Sequence, residues 1–324
     1  MPQKFGAVVI GRNEGDRLTR CLDSLLHASA VVYVDSDSSD GSVQMARNRG
    51  VDVVELDLSV PFTAARARNA GFEHLRKLFP DLQYVQFVDG DCELIEGWTS
   101  AALSFLESKH EVVAVCGRLR ERYPERSIYN WLCDKEWDRP IGEVCSFAGN
   151  VMIRVNALQA VGGYREDVIA GEEDELSVRL RARSWRIWRI SHEMALHDAA
   201  MMHFGQWWRR CFRAGYAFAQ GAHLHGASPE RHFVWESRRA WILGLLLPLV
   251  CIVTGVFFHP FGWIVFLLYP LQFLHKTIHN SGPLRDRTRL ALFQLLATFP
   301  ESLGQTIFFR DRLLRRRPQL IEHK

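Results

Sequence analysis

Asp89-Gly90-Asp91 sets two carboxylates one residue apart, and the glycine between them lets both turn toward one divalent cation. Mg2+ and Mn2+ take oxygen ligands and need few protein groups when phosphates complete the shell. A second acidic group, Gly171-Glu172-Glu173-Asp174-Glu175, opens a segment with Leu176, Arg179 and Leu180 at helical spacing. The helix dipole accounts for part of that acidity, since negative charge is favoured at a helix start. The functional reading is that one of the four carboxylates is a general base for a hydroxyl. Displacement at an anomeric carbon requires a deprotonated incoming hydroxyl and a neutralised leaving diphosphate. A metal-bearing acidic turn plus a separate carboxylate supplies both.

Such residues need a frame. Asp89 ends the apolar run Tyr84–Val88, and Phe5–Ile10, Val31–Val34 and Val51–Leu56 read as three earlier buried strands. Between them Leu18, Cys21, Leu22, Leu25 and Leu26 share one helical face; Val43, Met45 and Ala46 mark another helix, and Thr63–Phe79 a third. Glu96–Leu106 and Val112–Val115 add a helix and a strand, Ala148–Ile153 a later strand and Glu173–Arg183 a later helix. The stretch from Glu121 to Ser191 is otherwise less regular.

This alternation predicts an α/β fold, a mostly parallel sheet with helices on both faces, whose ligands sit outside the carboxyl ends of the strands. Arg12-Asn13-Glu14, Asp35–Gly41 and Asp89-Gly90-Asp91 all follow strand ends, so they share one edge where a nucleotide could bind. No G-x-G-x-x-G or G-x-x-x-x-G-K-[ST] lies there, which disfavours a dinucleotide-binding domain and a P-loop NTPase.

Composition narrows the class. Of 324 residues, 48% are hydrophobic and 24% charged, so the chain is not disordered. Residues 231–324 hold 13 Lys/Arg and 5 Asp/Glu, against 27 and 32 in residues 1–230. An acidic body with no basic face argues against nucleic-acid binding. Seven scattered cysteines without a C-x-x-C pair read as reduced thiols filling core space. Met1–Lys4 runs directly into Phe5–Ile10, too short for a secretory leader, so the body is expected in the cytoplasm.

The basic tail carries Trp241–Leu274, 34 residues free of Asp, Glu, Lys and Arg. As one helix it would run about 51 Å, against roughly 30 Å of hydrocarbon, so it must break, and His259-Pro260 supplies the break. Arg238 and Arg239 precede it, while Lys276, Arg285, Arg287 and Arg289 follow. Basic flanks at both ends predict a helical hairpin over 241–274 with both ends cytoplasmic. An amphipathic surface helix is expected over 289–309, kinked at Pro300 and closed by Arg310-Asp311-Arg312 and Arg315-Arg316-Arg317. Gln206-Trp207-Trp208-Arg209-Arg210 starts a further interfacial helix over 206–225. The domain boundary is therefore placed at 230/231.

Taken in order, these motifs resemble the family 2 glycosyltransferases with the GT-A fold, over most of residues 5–220. Val8–Glu14 is similar to the family's first strand and nucleoside-contacting turn, which implies donor contacts from Arg12, Asn13 and Glu14. Val34-Asp35-Ser36-Asp37-Ser38-Ser39-Asp40-Gly41 resembles its V-D-x-x-S-x-D-G turn, with a base-contacting role for Asp35 or its neighbour. Ala65–Asn69 resembles the A-R-N element and implies donor contacts from Arg66 and Asn69, joined by Asp89 of D-x-D. The acidic cluster is similar to E-D-x-[DE]-L-x-x-R. That alignment puts Glu173 on the base position, where the family has Asp, and Asp174 stays open as the alternative. His197 stands where members carry a third metal ligand beside Asp89 and Asp91, with His203 as a competitor. Gln206, Arg209 and Arg210 resemble the acceptor-binding Q-x-x-R-W element, with Arg210 in place of Trp.

The resemblance implies an inverting transfer from a nucleotide sugar, expected to be a UDP-sugar, with Mg2+ or Mn2+ as cofactor. It points to bacterial exopolysaccharide or lipid-linked glycan assembly at the cytoplasmic face of the inner membrane, with membrane lipid and a lipid-linked acceptor as partners. Two rivals stand beside it. One is a polyprenyl-phosphate monosaccharide synthase, with Arg209, Arg210 and Arg213 holding the acceptor phosphate; the other is a non-catalytic membrane scaffold of the same fold.

Overall fold

The computed structural model describes residues 5–57, 59–258 and 260–315. The chain divides into two compact units, one ending at Met202 and the other beginning at His203.

In the first unit β1 (Phe5–Gly11), β2 (Val31–Asp35), β3 (Asp52–Glu55) and β4 (Tyr84–Asp89) are parallel neighbours. They are followed by β5 (Cys92–Leu94), β6 (Val112–Glu121), β7 (Gly142–Glu143), β8 (Val151–Arg154) and β9 (Arg186–His197). The order across the sheet is β3-β2-β1-β4-β8-β6-β9-β5, with β7 paired to β9. β8 is antiparallel to both neighbours, while β6 and β9 are parallel. The expected mostly parallel, GT-A-like sheet with helices on both sides is what forms.

Its core follows from the apolar runs. Ala7, Val8, Val9, Val32, Val34, Val85 and Phe87 are all fully buried or nearly so, and each Val or Phe among them contributes about 1.5–3 kcal/mol. The helices are α1 (Asp16–Asp23), α2 (Ser42–Asn48), α3 (Ala64–Leu78), α4 (Trp98–Ser108), α5 (Ile128–Glu136), α6 (Val155–Ala160) and α7 (Glu172–Arg181). Thr63 caps α3 by accepting the Arg66 amide, and Ser127 caps α5 by accepting that of Asn130. Register then builds the functional edge: Gly11 lies beside Asp35, and Ile10 beside Asp89.

Two elements of this unit lie where the sequence reads as irregular. α5 occupies 128–136, and β9 runs twelve residues with register shifts against β6. Its apolar positions are interrupted by Arg186, Arg189, His192 and Glu193, which hide the strand pattern.

The second unit is helical: α8 (Phe204–His225), α9 (Val234–Trp241), α10 (Leu247–Val253), α11 (Leu268–His279), α12 (Leu284–Leu296) and α13 (Thr298–Leu313). α8 packs along α13 at backbone distance. A Cβ on Gly215 would stand 2.0 Å from the Glu301 carbonyl oxygen, and one on Gly304 2.0 Å from that of Phe212. This close seam is why packing divides the chain at 202/203, ahead of the boundary expected at 230/231. Inside it Arg239 pairs with Glu301 at 2.7 Å, and Gln305 is fully buried against Ser237.

Two expectations for this unit are corrected. The helix expected over 289–309 with a kink at Pro300 is two helices, α12 and α13, interrupted at Ala297, three residues before Pro300, whose missing N–H cannot reach the Leu296 carbonyl. α13 is also a packing helix, burying Thr298, Pro300, Glu301, Ser302, Gly304, Gln305 and Phe308. Trp207 of the expected interfacial helix turns inward, edge-on to Phe293 at 5.1 Å. Val234–Phe257 is a helical run of 24 residues, long and apolar enough to cross a membrane, and the one such helix among the described residues. After it Pro260–Leu267 is a 3-10 helix leading into α11. His259 of the expected break, and Arg316 and Arg317 of the closing basic run, lie outside the described residues.

Candidate active site

β4 ends at Asp89, Gly90 turns against β1, and β5 starts at Cys92. The Gly90 amide donates to the Ile10 carbonyl at 2.8 Å, and a Cβ there would meet that same oxygen at 3.1 Å. On the other side the Asp198 amide donates to the Asp91 carbonyl at 3.0 Å. The acidic turn is thus held from both flanks. Its two carboxylates face different company.

Asp91 is 6% exposed, and its Oδ1 lies 3.3 Å from Nε2 of His197. His197 ends β9, in register with Cys92 on one side and Glu121 on the other. Its Nδ1 lies 3.6 Å from Glu121 Oε2, and Trp137 packs edge-on to the imidazole at 4.8 Å. Glu121 is itself fixed, accepting from Tyr123 N, Asn130 Nδ2 and Ala199 N. A carboxylate behind a histidine is the arrangement that orients an imidazole for a metal. Ligand atoms of Asp91, Cys92 and His197 lie within 4.8 Å of one another, so the residues fit a cation. The carboxylate suits Mg2+ or Mn2+. Burial, then the Asp91 and Asp89 charges, push the Cys92 thiol up.

Asp89 faces the acidic helix. Buried Arg68, on α3, donates from Nη2 to Asp89 Oδ1 at 2.9 Å and from Nη1 to Glu172 Oε1 at 2.7 Å. The same Nη2 lies 3.0 Å from Glu173 Oε1. One guanidinium therefore gathers the metal motif and the expected base. Asn150, 1% exposed, clamps the turn by accepting the Asp89 amide and donating to Cys92 Sγ. Gly149 is required beside it, because a Cβ there would stand 2.2 Å from Asp89 Oδ2. Burial first, then the Glu172 charge, push the Glu173 carboxyl up to about 8 against the pull of Arg68. Asp174 looks elsewhere, toward Ser146, Arg139 and Arg181; burial raises its carboxyl to about 6, against the Ser146 hydrogen bond.

The β1 and β2 turns are stitched together. Asn13, at φ 54°, accepts the Ser39 amide on Oδ1 at 2.8 Å, and its own amide donates to Ser38 Oγ at 2.9 Å. The Gly15 amide donates to Asp40 Oδ2 at 2.9 Å. Buried Asp35 accepts from Tyr33 OH and Ser38 N. Arg12 lies 3.6 Å from Asp37 and 5.0 Å from the Phe62 ring centroid, while Glu14 pairs with Arg17 at 2.8 Å. Arg12, Asn13, Glu14, Asp35 and Asp89 are thereby brought to one edge.

Arg66 and Asn69 are engaged within the protein. Arg66 donates to the Val60 and Asp57 carbonyls, and Asn69 exchanges hydrogen bonds with the Tyr164 backbone and reaches Glu166. Their side chains hold loops in place. Gln206, Arg209 and Arg210 lie on α8 in the second unit, where Gln206 caps the helix through the His203 amide, Arg209 is exposed and Arg210 half-buried. His203, the competitor of His197, is the cap of α8. Sequence reasoning gave Arg68 a place in a motif without a role, and it missed Glu121, Trp137 and Asn150. Arg68 lies within the A-R-N element; the other three carry no local motif.

Residues 7–152 match the family described as Glycosyl transferase family 2. No curated protein sequence matches the chain. Among solved structures, it is similar to the mannosyltransferase PcManGT from Pyrobaculum calidifontis in complex with GDP-Man and Mn2+, at 18% identity and a TM-score of 0.61, covering 93% of this chain and 87% of that one. It also resembles S. aureus TarS at 15% identity and a TM-score of 0.50, covering 93% of this chain and 54% of TarS, so it spans about half the length of that protein. At these identities the likeness is one of fold.

Proposed function

We propose that this chain, a glycosyltransferase by its family 2 domain, moves a sugar from a nucleotide-sugar donor to an acceptor hydroxyl with inversion at the anomeric carbon. The observation that carries the reading is the Arg68 guanidinium, which holds Asp89 at 2.9 Å and lies 3.0 Å from Glu173. It sets the metal motif beside a carboxylate able to take a proton.

In this reading the β1 and β2 turns hold the nucleoside, with Asp35 and the Asn13–Ser39 stitch beneath it. Asp91, His197 and Asp89 hold Mg2+ or Mn2+. When bound, that cation neutralises the charge growing on the departing diphosphate. Glu173, once it has released the proton it holds up to about 8, accepts the acceptor hydroxyl proton on the carboxylate that faces Arg68. PcManGT was solved with GDP-Man and Mn2+, which supports a nucleotide-sugar donor and manganese. UDP remains our expected base, and GDP is its direct rival.

The acceptor we assign is a lipid-linked saccharide in cell-surface polysaccharide assembly at the cytoplasmic side of a bacterial inner membrane. Supporting this is the helical run Val234–Phe257, with Arg238 and Arg239 near its start. A hairpin over 241–274 belongs to the same reading.

Calorimetry with UDP and GDP, with and without Mn2+, tests it first. One nucleotide should bind at least about tenfold more tightly with the cation, and Asp91→Ala should erase that gain. Equal affinity with and without Mn2+ would withdraw the metal assignment. Release of nucleoside diphosphate from a panel of sugar donors then identifies the sugar.

A further inference from the structure

Cys92 opens β5 directly after the acidic turn, and its sulfur has no part in the transfer proposed above. The thiol donates toward Asp91 Oδ1 at 3.7 Å and accepts from Asn150 Nδ2 at 3.2 Å. The same Asp91 oxygen has His197 Nε2 at 3.3 Å. One sulfur, one oxygen and one nitrogen thus lie within 4.8 Å of one another. Cys92 and Asp91 are buried, and His197 is half-buried.

This donor set suits a second class of cation. Mg2+ and Mn2+ favour oxygen, whereas thiolate and imidazole favour zinc and ions like it. Tetrahedral zinc, with bonds of roughly 2.0–2.1 Å to nitrogen or oxygen and roughly 2.3 Å to sulfur, sets N and O about 3.3 Å apart and O and S about 3.6 Å apart. Asp91 Oδ1 already stands 3.3 Å from the imidazole nitrogen and 3.7 Å from the sulfur. Charge closes too. One carboxylate, one thiolate and a neutral imidazole offset a dication, and a covered site needs that balance. Behind the imidazole, Glu121 Oε2 lies 3.6 Å from Nδ1, which directs the ring proton there and turns the Nε2 lone pair to the metal. Asp89 stays outside the set, held by Arg68.

We propose that Asp91, Cys92 and His197 form a three-ligand site for Zn2+ and other thiophilic dications, and that an ion held there shuts Mg2+ or Mn2+ out of the donor site and so inhibits transfer. The two modes exclude each other because both need Asp91 and His197. On binding, a Zn–S bond forms as the S–H bond breaks, and the thiol proton passes to solvent; a coordinating thiol is deprotonated outright by its metal. The fourth position is left to water. Inhibition rests on the transferase reading above; the zinc site rests on the ligand geometry alone.

The test titrates the full chain, reduced and stripped of divalent metal, with Co2+ as the visible stand-in for zinc. Wild type should develop sulfur-to-cobalt charge-transfer absorption in the near ultraviolet. Zn2+ at the concentration of cobalt should erase it, and Mn2+ should fail to do so even at about 100-fold excess. Cys92→Ser and Cys92→Ala should both lose the band and bind Zn2+ at least about tenfold more weakly in calorimetry. Cys145→Ser, which alters the exposed thiol, should keep the band. Adding Zn2+ should also weaken nucleotide–Mn2+ binding in wild type. No band in wild type, or a band that survives in both Cys92 variants, overturns the site. Zinc that raises the Cys92-dependent signal in competition with cobalt yet leaves nucleotide–Mn2+ affinity unchanged overturns the inhibition. Should nucleotide–Mn2+ fail to bind at all while the band still depends on Cys92, the transferase reading falls and the zinc site stands.

Discussion

Two arginines are buried in the sheet unit, and they keep opposite company. Arg68, 2% exposed, touches Asp89, Glu172 and Glu173 and lies over the Tyr164 ring. Arg189, 5% exposed, touches no carboxylate among the described residues. In the first region the protein has supplied every counter-charge itself, so the cation acts as a bracket that fixes acidic groups against one another. In the second no carboxylate among the described residues lies within ion-pair distance, and Asp138 acts on the guanidinium only from farther away. Burial alone therefore does not make an arginine a bracket; the carboxylates within reach of it do.

The largest expected effect concerns the carboxylate shared between the bracket and the chemistry. Glu173→Gln should lower transfer by about 10²–10⁴-fold while leaving nucleotide–Mn2+ affinity within about threefold of wild type. Asp174→Asn should retain most activity, and the reverse ranking in a single-turnover assay would move the base to Asp174. Arg68→Met comes next. It leaves Asp89, Glu172 and Glu173 crowded without their cation, and breaking a buried pair costs about 3–5 kcal/mol. Chemical denaturation measures that loss, and an unchanged midpoint would erase the contrast between the two arginines.

Smallest is a pH effect. Native Glu173 holds its proton up to about 8, whereas an unfolded chain releases it near 4.5. Between those values the native state binds more protons, so this group's contribution to stability is full below 4.5 and is lost as pH rises toward 8. Melting curves across that window should fall with rising pH in wild type and flatten in Glu173→Gln. Arg189→Met should leave the slope as it was.

The sheet was legible wherever strands are buried on both faces. Ala7, Val8, Val9, Val85 and Phe87 form runs that nothing but a covered strand explains, and the acidic turns follow directly from where those runs stop. β9 was not legible, because Arg186, Arg189, His192 and Glu193 break its apolar pattern. D-x-D and the acidic helix could be read as separate motifs. Their joining could not, since Arg68 and Glu172 are separated by 104 positions and only the fold brings them to 2.7 Å. Glu121 and Asn150 escaped notice for the same reason: each acts by accepting or donating hydrogen bonds across the sheet, with no signature in neighbouring residues. In the helical unit the apolar spacing of 289–309 passes through Ala297 unbroken, and only Pro300, three residues on, signals the interruption between α12 and α13.

The lacing of Asn13 to Ser38 and Ser39 has a thermodynamic consequence. Loops that must be frozen by an incoming ligand give up about 1–2 kcal/mol of chain entropy for every residue immobilised. Here the two turns already hold each other, through a residue in the left-handed region and a glycine amide seated on Asp40. A molecule settling across that floor finds it rigid on arrival, and the free energy of its contacts goes into residence time instead of into taming slack chain.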